Sequence, residues 1–138
     1  MDGGMASRMR SVGFTGTQIG MSDNQKFHLR TILIGATEFH HGDCIGADEE
    51  ADAIARDLGI RIVIHPPLDP KKRAFCYQPG DTIRRERPYL VRNRHIVHDT
   101  DELVAAPKDA NNEELRSGTW STIREARRTG KKVTILHR

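Results

Sequence analysis

From residue 11 onward, short apolar runs alternate with stretches in which apolar residues recur every three or four positions. Val12-Gly13-Phe14-Thr15 reads as a first strand that passes straight into Gly16-Thr17. Ser22-Asp23 supplies a helix N-cap, and Leu29, Ile32, Leu33 and Ala36 follow on one helical face. Thr37-Glu38-Phe39-His40 forms a short second strand, and Ala47, Ala51, Ile54, Ala55 and Leu58 make a second helical stripe stopped by Gly59. Arg61-Ile62-Val63-Ile64-His65 is a third strand, ended by Pro66-Pro67. Residues 66–88 hold five prolines and cannot form one regular element. A connection of that length is a lid, a binding loop or a disordered segment. Helical spacing resumes at Tyr89, Ile96 and Val97, and Leu103-Val104-Ala105-Ala106 makes a fourth strand closed by Pro107. A last helix covers 118–128, with Trp120, Ile123 and Ala126 on one side, and Val133-Thr134-Ile135-Leu136 is a fifth strand.

Strand–helix alternation with continuous apolar strands predicts a mainly parallel sheet covered by helices on both faces. The expected fold is a Rossmann-like α/β three-layer sandwich with five strands in the order 3-2-1-4-5. Residues 11–138 read as a single domain, and residues 1–10 as a flexible N-terminal tail.

At 138 residues with 36% hydrophobic content, the chain can bury a core without a metal or disulfide staple. It has no apolar run of membrane-spanning length. Two cysteines, Cys44 and Cys76, do not make a disulfide framework, and no signal-peptide pattern is present, so the expected setting is cytoplasmic. The net charge of +3 is spread along the chain, which permits an anionic ligand without demanding a nucleic acid.

Open parallel sheets bind ligands beyond the carboxyl ends of their strands, where the strand order reverses. Thr15-Gly16-Thr17 there offers amides, two hydroxyls and a glycine, but neither Walker A nor dinucleotide-fingerprint spacing. Gly42-Asp43 and Asp48 open an acidic helix end, which repels phosphate and suits neutral ribose hydroxyls, unless the acids merely complement the helix dipole. Arg116-Ser117-Gly118-Thr119-Trp120 is the opposite case, a helix start without acids and with an arginine beside it, suited to an anion. Its plain alternative is a Ser or Thr cap with Trp120 in the core. Asn93 falls in an apolar stripe and needs partners, and of Arg92 and Arg94 the former is the better placed to face the crevice. His40, His41, Asp43 and Cys44 lack metal-site spacing, so no metal is expected, and nothing implies a cofactor.

Together these residues resemble the SLOG superfamily, which includes the DNA-processing protein DprA and the lonely-guy phosphoribohydrolases. Thr15-Gly16-Thr17 is similar to its first glycine turn, Arg92-Asn93-Arg94-His95-Ile96 to an Arg-Asn-Arg-Ile-Ile helix, and Ser117-Gly118-Thr119-Trp120-Ser121-Thr122 to its second glycine turn. The resemblance implies a Rossmann-like fold, a nucleotide or nucleotide-derived ligand, and a homodimer. The phosphoribohydrolase branch carries Pro-Gly-Gly-x-Gly-Thr-x-x-Glu; here Thr122 stands at the Glu position, and Glu125 lies one turn further on.

The leading expectation is a protein that senses or sequesters an ADP-ribose-like molecule. Thr15, Gly16, Thr17, Arg92, Arg116, Ser117, Gly118 and Thr119 would hold phosphate, Asp43 and Asp48 the ribose, and Trp120 or Tyr89 the base. An N-glycosidic-bond hydrolase using Asp43 is the alternative. Single-stranded DNA binding through the arginines of residues 84–94 comes third, since few aromatics are available for stacking.

Overall fold

The computed structural model describes residues 9–138, and the expected tail at 1–8 lies outside them. Six parallel strands form one sheet: β1 (Ser11–Gly16), β2 (Glu38–His41), β3 (Arg61–Ile64), β4 (Thr82–Ile83), β5 (Glu102–Ala106) and β6 (Lys132–Ile135). Their order is β4-β3-β2-β1-β5-β6. Four helices connect them: α1 (Asp23–Leu33), α2 (Ala47–Asp57), α3 (Tyr89–His98) and α4 (Gly118–Arg128). No helix among the described residues is long and apolar enough to cross a membrane.

The five expected strands are present in the expected order. The sixth, β4, is an addition: two exposed residues from the proline-rich segment pair with Val63 and Ile64 at the sheet edge. Arg10 is a second correction. Placed in the tail by its sequence, it is tied to the domain, donating through its backbone to Thr37 Oγ1 at 3.0 Å and through its guanidinium to Ile32 O and Glu102.

Side-chain alternation along the strands builds two cores. Val104 and Ala106 join Val12, Phe14, Phe39, Ile62 and Ile64 beneath α1 and α2. Leu103 and Ala105 face Ile96, Val97, Trp120, Ile123 and Ala126 of α3 and α4. The α1 start is a full capping box between Ser22 and Gln25. Buried Gln25 also donates to the carbonyls of Pro107 and Leu136, which fixes α1 against the ends of β5 and β6. Gly16 lets α2 approach β1, because a β-carbon there would meet the Ala47 methyl.

Residues 66–88 form an ordered flap over the ends of β2 and β3, fastened by buried acids. Asp43 is fully buried at φ +58° and accepts from Arg73 Nε at 2.7 Å and from Cys76 N at 2.9 Å. The Arg56 guanidinium bridges Asp52 at 2.7 Å and Asp81 at 2.6 Å, and also donates to Cys76 O. Ile45 N donates to Lys72 O, Arg84 N to Ile64 O and Leu68 N to Arg87 O. The flap's backbone groups are therefore largely paired, as a segment lying on a domain surface requires.

Three buried histidines complete the interior. His40 and His41 are neighbours in a strand and point to opposite faces. A carboxylate can only accept, so His40 Nε2, 2.6 Å from Glu38, carries the proton, and His40 Nδ1 accepts from His65 Nε2 at 2.8 Å. On the other face His41 Nδ1 accepts from Asp43 N, so its Nε2 donates to Asp52. Burial pushes His65 down to about 2, with His40, Arg84, His41 and His95 adding to the shift, and burial lowers His40 as well.

Two outcomes follow from these buried groups. Unfolded His65 takes up a proton near pH 6.5 whereas the folded residue stays neutral, so stability is retained above pH 6.5 and falls as pH drops below it. One pH unit below 6.5 this residue alone costs about 1.4 kcal/mol, read as a lower urea midpoint at pH 5.5 than at 7.5, and His65→Gln flattens that slope. Asp43→Asn keeps the left-handed backbone but removes the charge opposite Arg73. It lowers stability by about 2 kcal/mol and speeds tryptic cleavage after Arg73, detected by mass spectrometry.

Candidate functional site

The chain leaves β1 toward β2 on one side and β5 on the other, so the strand order reverses between β1 and β5. A cavity of about 320 Å³ opens there, lined by Gly16, Thr17, Gln18 and Ile19 after β1 and by Lys108, Glu114 and residues 117–120 after β5. A second cavity of about 470 Å³ adjoins it beneath the flap, with Pro67, Leu68, Asp69, Lys71, Lys72 and Pro88 on its walls. Gln18, Cys44 and Tyr89 line both, which makes them two lobes of one groove.

The two helix starts at this edge differ. At α2, Ala47 N donates to Thr17 O at 3.0 Å, and Asp48, Glu49 and Glu50 fill the first turn. No side chain caps that start, and the Asp48 and Glu49 amides have no acceptor among the described residues, so it is the acids of the turn that offset its positive end. At α4, Ser117 Oγ accepts from Trp120 N at 3.2 Å, while the Gly118 and Thr119 amides have no acceptor among the described residues. Thr119 is 7% exposed, and its hydroxyl makes no hydrogen bond among them. Among the described residues no buried side-chain polar atom lacks a partner, so that hydroxyl keeps contact with solvent, and Thr119 lines the cavity. Two amides and one hydroxyl thus converge on the smaller lobe, an arrangement that favours an anion.

Tyr89, the first residue of α3, lies across this mouth. A β-carbon at Gly118 would overlap the Tyr89 hydroxyl, so glycine here is a requirement of close approach. The Tyr89 ring stacks under the Arg92 guanidinium at 5.1 Å, and burial raises its phenol, which stays a neutral donor. Burial, then Asp48, raises the Cys44 thiol, so the sulfur between the lobes is protonated rather than nucleophilic.

Of the sequence candidates, Gly16, Thr17, Ser117, Gly118, Thr119 and Trp120 line the smaller lobe, although most of Trp120 is core. Thr15 lies within β1 beside Ala105 and does not line the groove, and Arg116 is exposed outside it. Asp43 is the flap latch rather than a ribose ligand, and its burial under Arg73 removes it as the acid of a glycosidase. Asp48 accepts from the backbone of its own loop, at Gly42 N (3.1 Å) and Cys44 N (3.3 Å), and burial raises its carboxyl.

Arg92 is 3% exposed and donates to the carbonyls of Gly42 and His65 and to Asn93 Oδ1. It holds strand ends together instead of binding phosphate, and a side chain at Gly42 would collide with it. Asn93 borders a small cleft between α3 and α4, away from the groove. Gln18, Cys44, Lys108 and Glu114 are the lining residues that sequence reasoning missed. For Gln18, Cys44 and Lys108 only a position just after a strand could have signalled them, and Glu114, in the loop before α4, carries no such signal.

No protein-family model and no curated protein matches the sequence. Solved structures do match its architecture. The molybdenum cofactor binding protein of the phototrophic bacterium Rippkaea orientalis superposes with a TM-score of 0.72 at 17% identity, covering 96% of this chain and 78% of that one. The molybdenum cofactor carrier protein of Chlamydomonas reinhardtii gives 0.63 at 17%, covering 93% and 76%. DprA of Streptococcus pneumoniae gives 0.64 at 18%, covering 92% of this chain and 50% of that one. At such identities the likeness is one of fold: the chain shares a Rossmann-like α/β architecture with these proteins.

Proposed function

We propose that this protein binds a nucleotide or nucleotide-derived ligand such as an ADP-ribose-like molecule, in order to sense or sequester it. The observation that carries this reading is the unpartnered set at the α4 mouth: the Gly118 and Thr119 amides and the Thr119 hydroxyl, converging on a cavity at the sheet's switch point. Each charge-assisted hydrogen bond to a phosphate oxygen contributes roughly 1.5–3 kcal/mol. Thr17 adds a hydroxyl, and Lys108 adds a positive charge at the rim, 3.5 Å from Glu114. Arg116, exposed just before the helix, supplies a long-range field only.

Two solved neighbours are named for the molybdenum cofactor and a third for DNA processing, which agrees with ligand recognition on this fold. Binding rather than turnover is the reading because the acids assigned to glycosidic cleavage, Asp43 and Asp48, are engaged by protein groups. A glycosidase needs a carboxylate free to face the developing charge.

Calorimetry against a panel of nucleoside mono- and diphosphates and ADP-ribose is expected to show binding that weakens at least 100-fold in Gly118→Asp. That substitution places a carboxylate at the amides and displaces Tyr89. A flat response to the whole panel by the unaltered protein overturns the reading.

A further inference from the structure

We infer that the lobe beneath the flap receives the planar heterocycle of the ligand, so that the site selects aromatic nucleotides over the bare sugar phosphate. This inference rests on the phosphate reading of the smaller lobe and extends it to the other end of the same molecule. The two lobes share Gln18, Cys44 and Tyr89, so a ligand whose phosphate sits at Gly118 has its remainder directed past Tyr89 toward the flap.

The chemistry changes across that boundary. Where the smaller lobe presents amides and hydroxyls, the larger one presents Pro67, Leu68, Pro88 and the Tyr89 ring. Two prolines and a tyrosine are flat and stiff, which matches a ring better than a flexible chain. Leu68 is 57% exposed and Tyr89 46%, so both carry apolar surface that a bound ring would cover.

The wall is also built in advance. Leu68 N donates to Arg87 O at 3.0 Å, Pro67 bridges Arg87, and Lys72 O accepts from Ile45 N at 2.9 Å. A ring entering this space does not have to order the flap, which removes one cost of binding. The polar groups around it are already occupied in part: Gln18 Oε1 accepts from Lys72 Nζ at 3.0 Å, and Asp69 Oδ1 accepts from Lys71 N. The donors that remain include the ammonium groups of exposed Lys71 and Lys72, which any base edge can accept from, so recognition is mainly by stacking and tolerates different bases.

The test is calorimetry of the full chain with AMP, GMP, CMP, ribose 5-phosphate and inorganic phosphate. The three nucleotides are expected to bind within about fivefold of one another and at least about tenfold more tightly than ribose 5-phosphate. Leu68→Ser, on an exposed part of the flap, should bring AMP affinity toward that of the sugar phosphate. Equal affinity of AMP and ribose 5-phosphate, or an unchanged AMP affinity in Leu68→Ser, overturns the inference while leaving the phosphate site standing. Failure of every phosphorylated compound to bind overturns both.

Discussion

The guanidinium of Arg92 is the contact on which the carboxyl edge of the sheet depends. It is held inside the domain, yet it reaches the carbonyls at the ends of β2 and β3, the side chain of its neighbour Asn93 and the face of Tyr89. A buried cation is costly unless its donors are satisfied, and here four different groups meet it. By fixing where two strands stop, Arg92 also sets where the loop after β2 and the flap after β3 begin. Tyr89, which spans the groove, is stacked against it. One interior charge thus aligns the three pieces from which both lobes are made.

Around that centre the acids face inward. Asp43 ties the flap, Asp52 and Asp81 share Arg56, and Asp48 closes its own loop. With these acids engaged, the carboxylate left beside the α4 mouth is Glu114, which pairs with Lys108, and the Gly118 and Thr119 amides there have no acceptor among the described residues. The contrast between α2 and α4 is therefore one of charge: both have a positive end, but acids fill the first turn only at α2.

The alternation of strands and helices could be read from the chain because period and burial agree. The Ile62–Ile64 and Leu103–Ala106 runs are apolar throughout, and the α2 and α4 stripes are unbroken. β4 was illegible because Thr82 and Ile83 are exposed and take their pairing from β3 rather than from any pattern of their own. At the groove, sequence placed Gly118 and Thr119 at the edge where the strand order reverses, and both line the smaller lobe. Asp43, Asp48 and Arg92 were misread for one shared reason. Their place after a strand or facing the crevice says that they lie near the edge, but not that protein groups supply their partners: the flap for Asp43, its own loop for Asp48 and the ends of β2 and β3 for Arg92. Arg73 and Cys76 lie about thirty residues beyond Asp43, and no local spacing announces them.

The flap enters between β3 and α3 and returns without disturbing the crossover it interrupts. Its fastening points, Asp43, Asp52 and Arg56, lie on the loop after β2 and on α2, whereas the α4 mouth is assembled without it. The segment is accordingly modular: exchange of these two dozen or so residues for another insertion would redraw one wall of the groove and leave the α4 mouth intact. Diversification of guests on a constant frame is then a matter of trimming or replacing a single excursion of the chain.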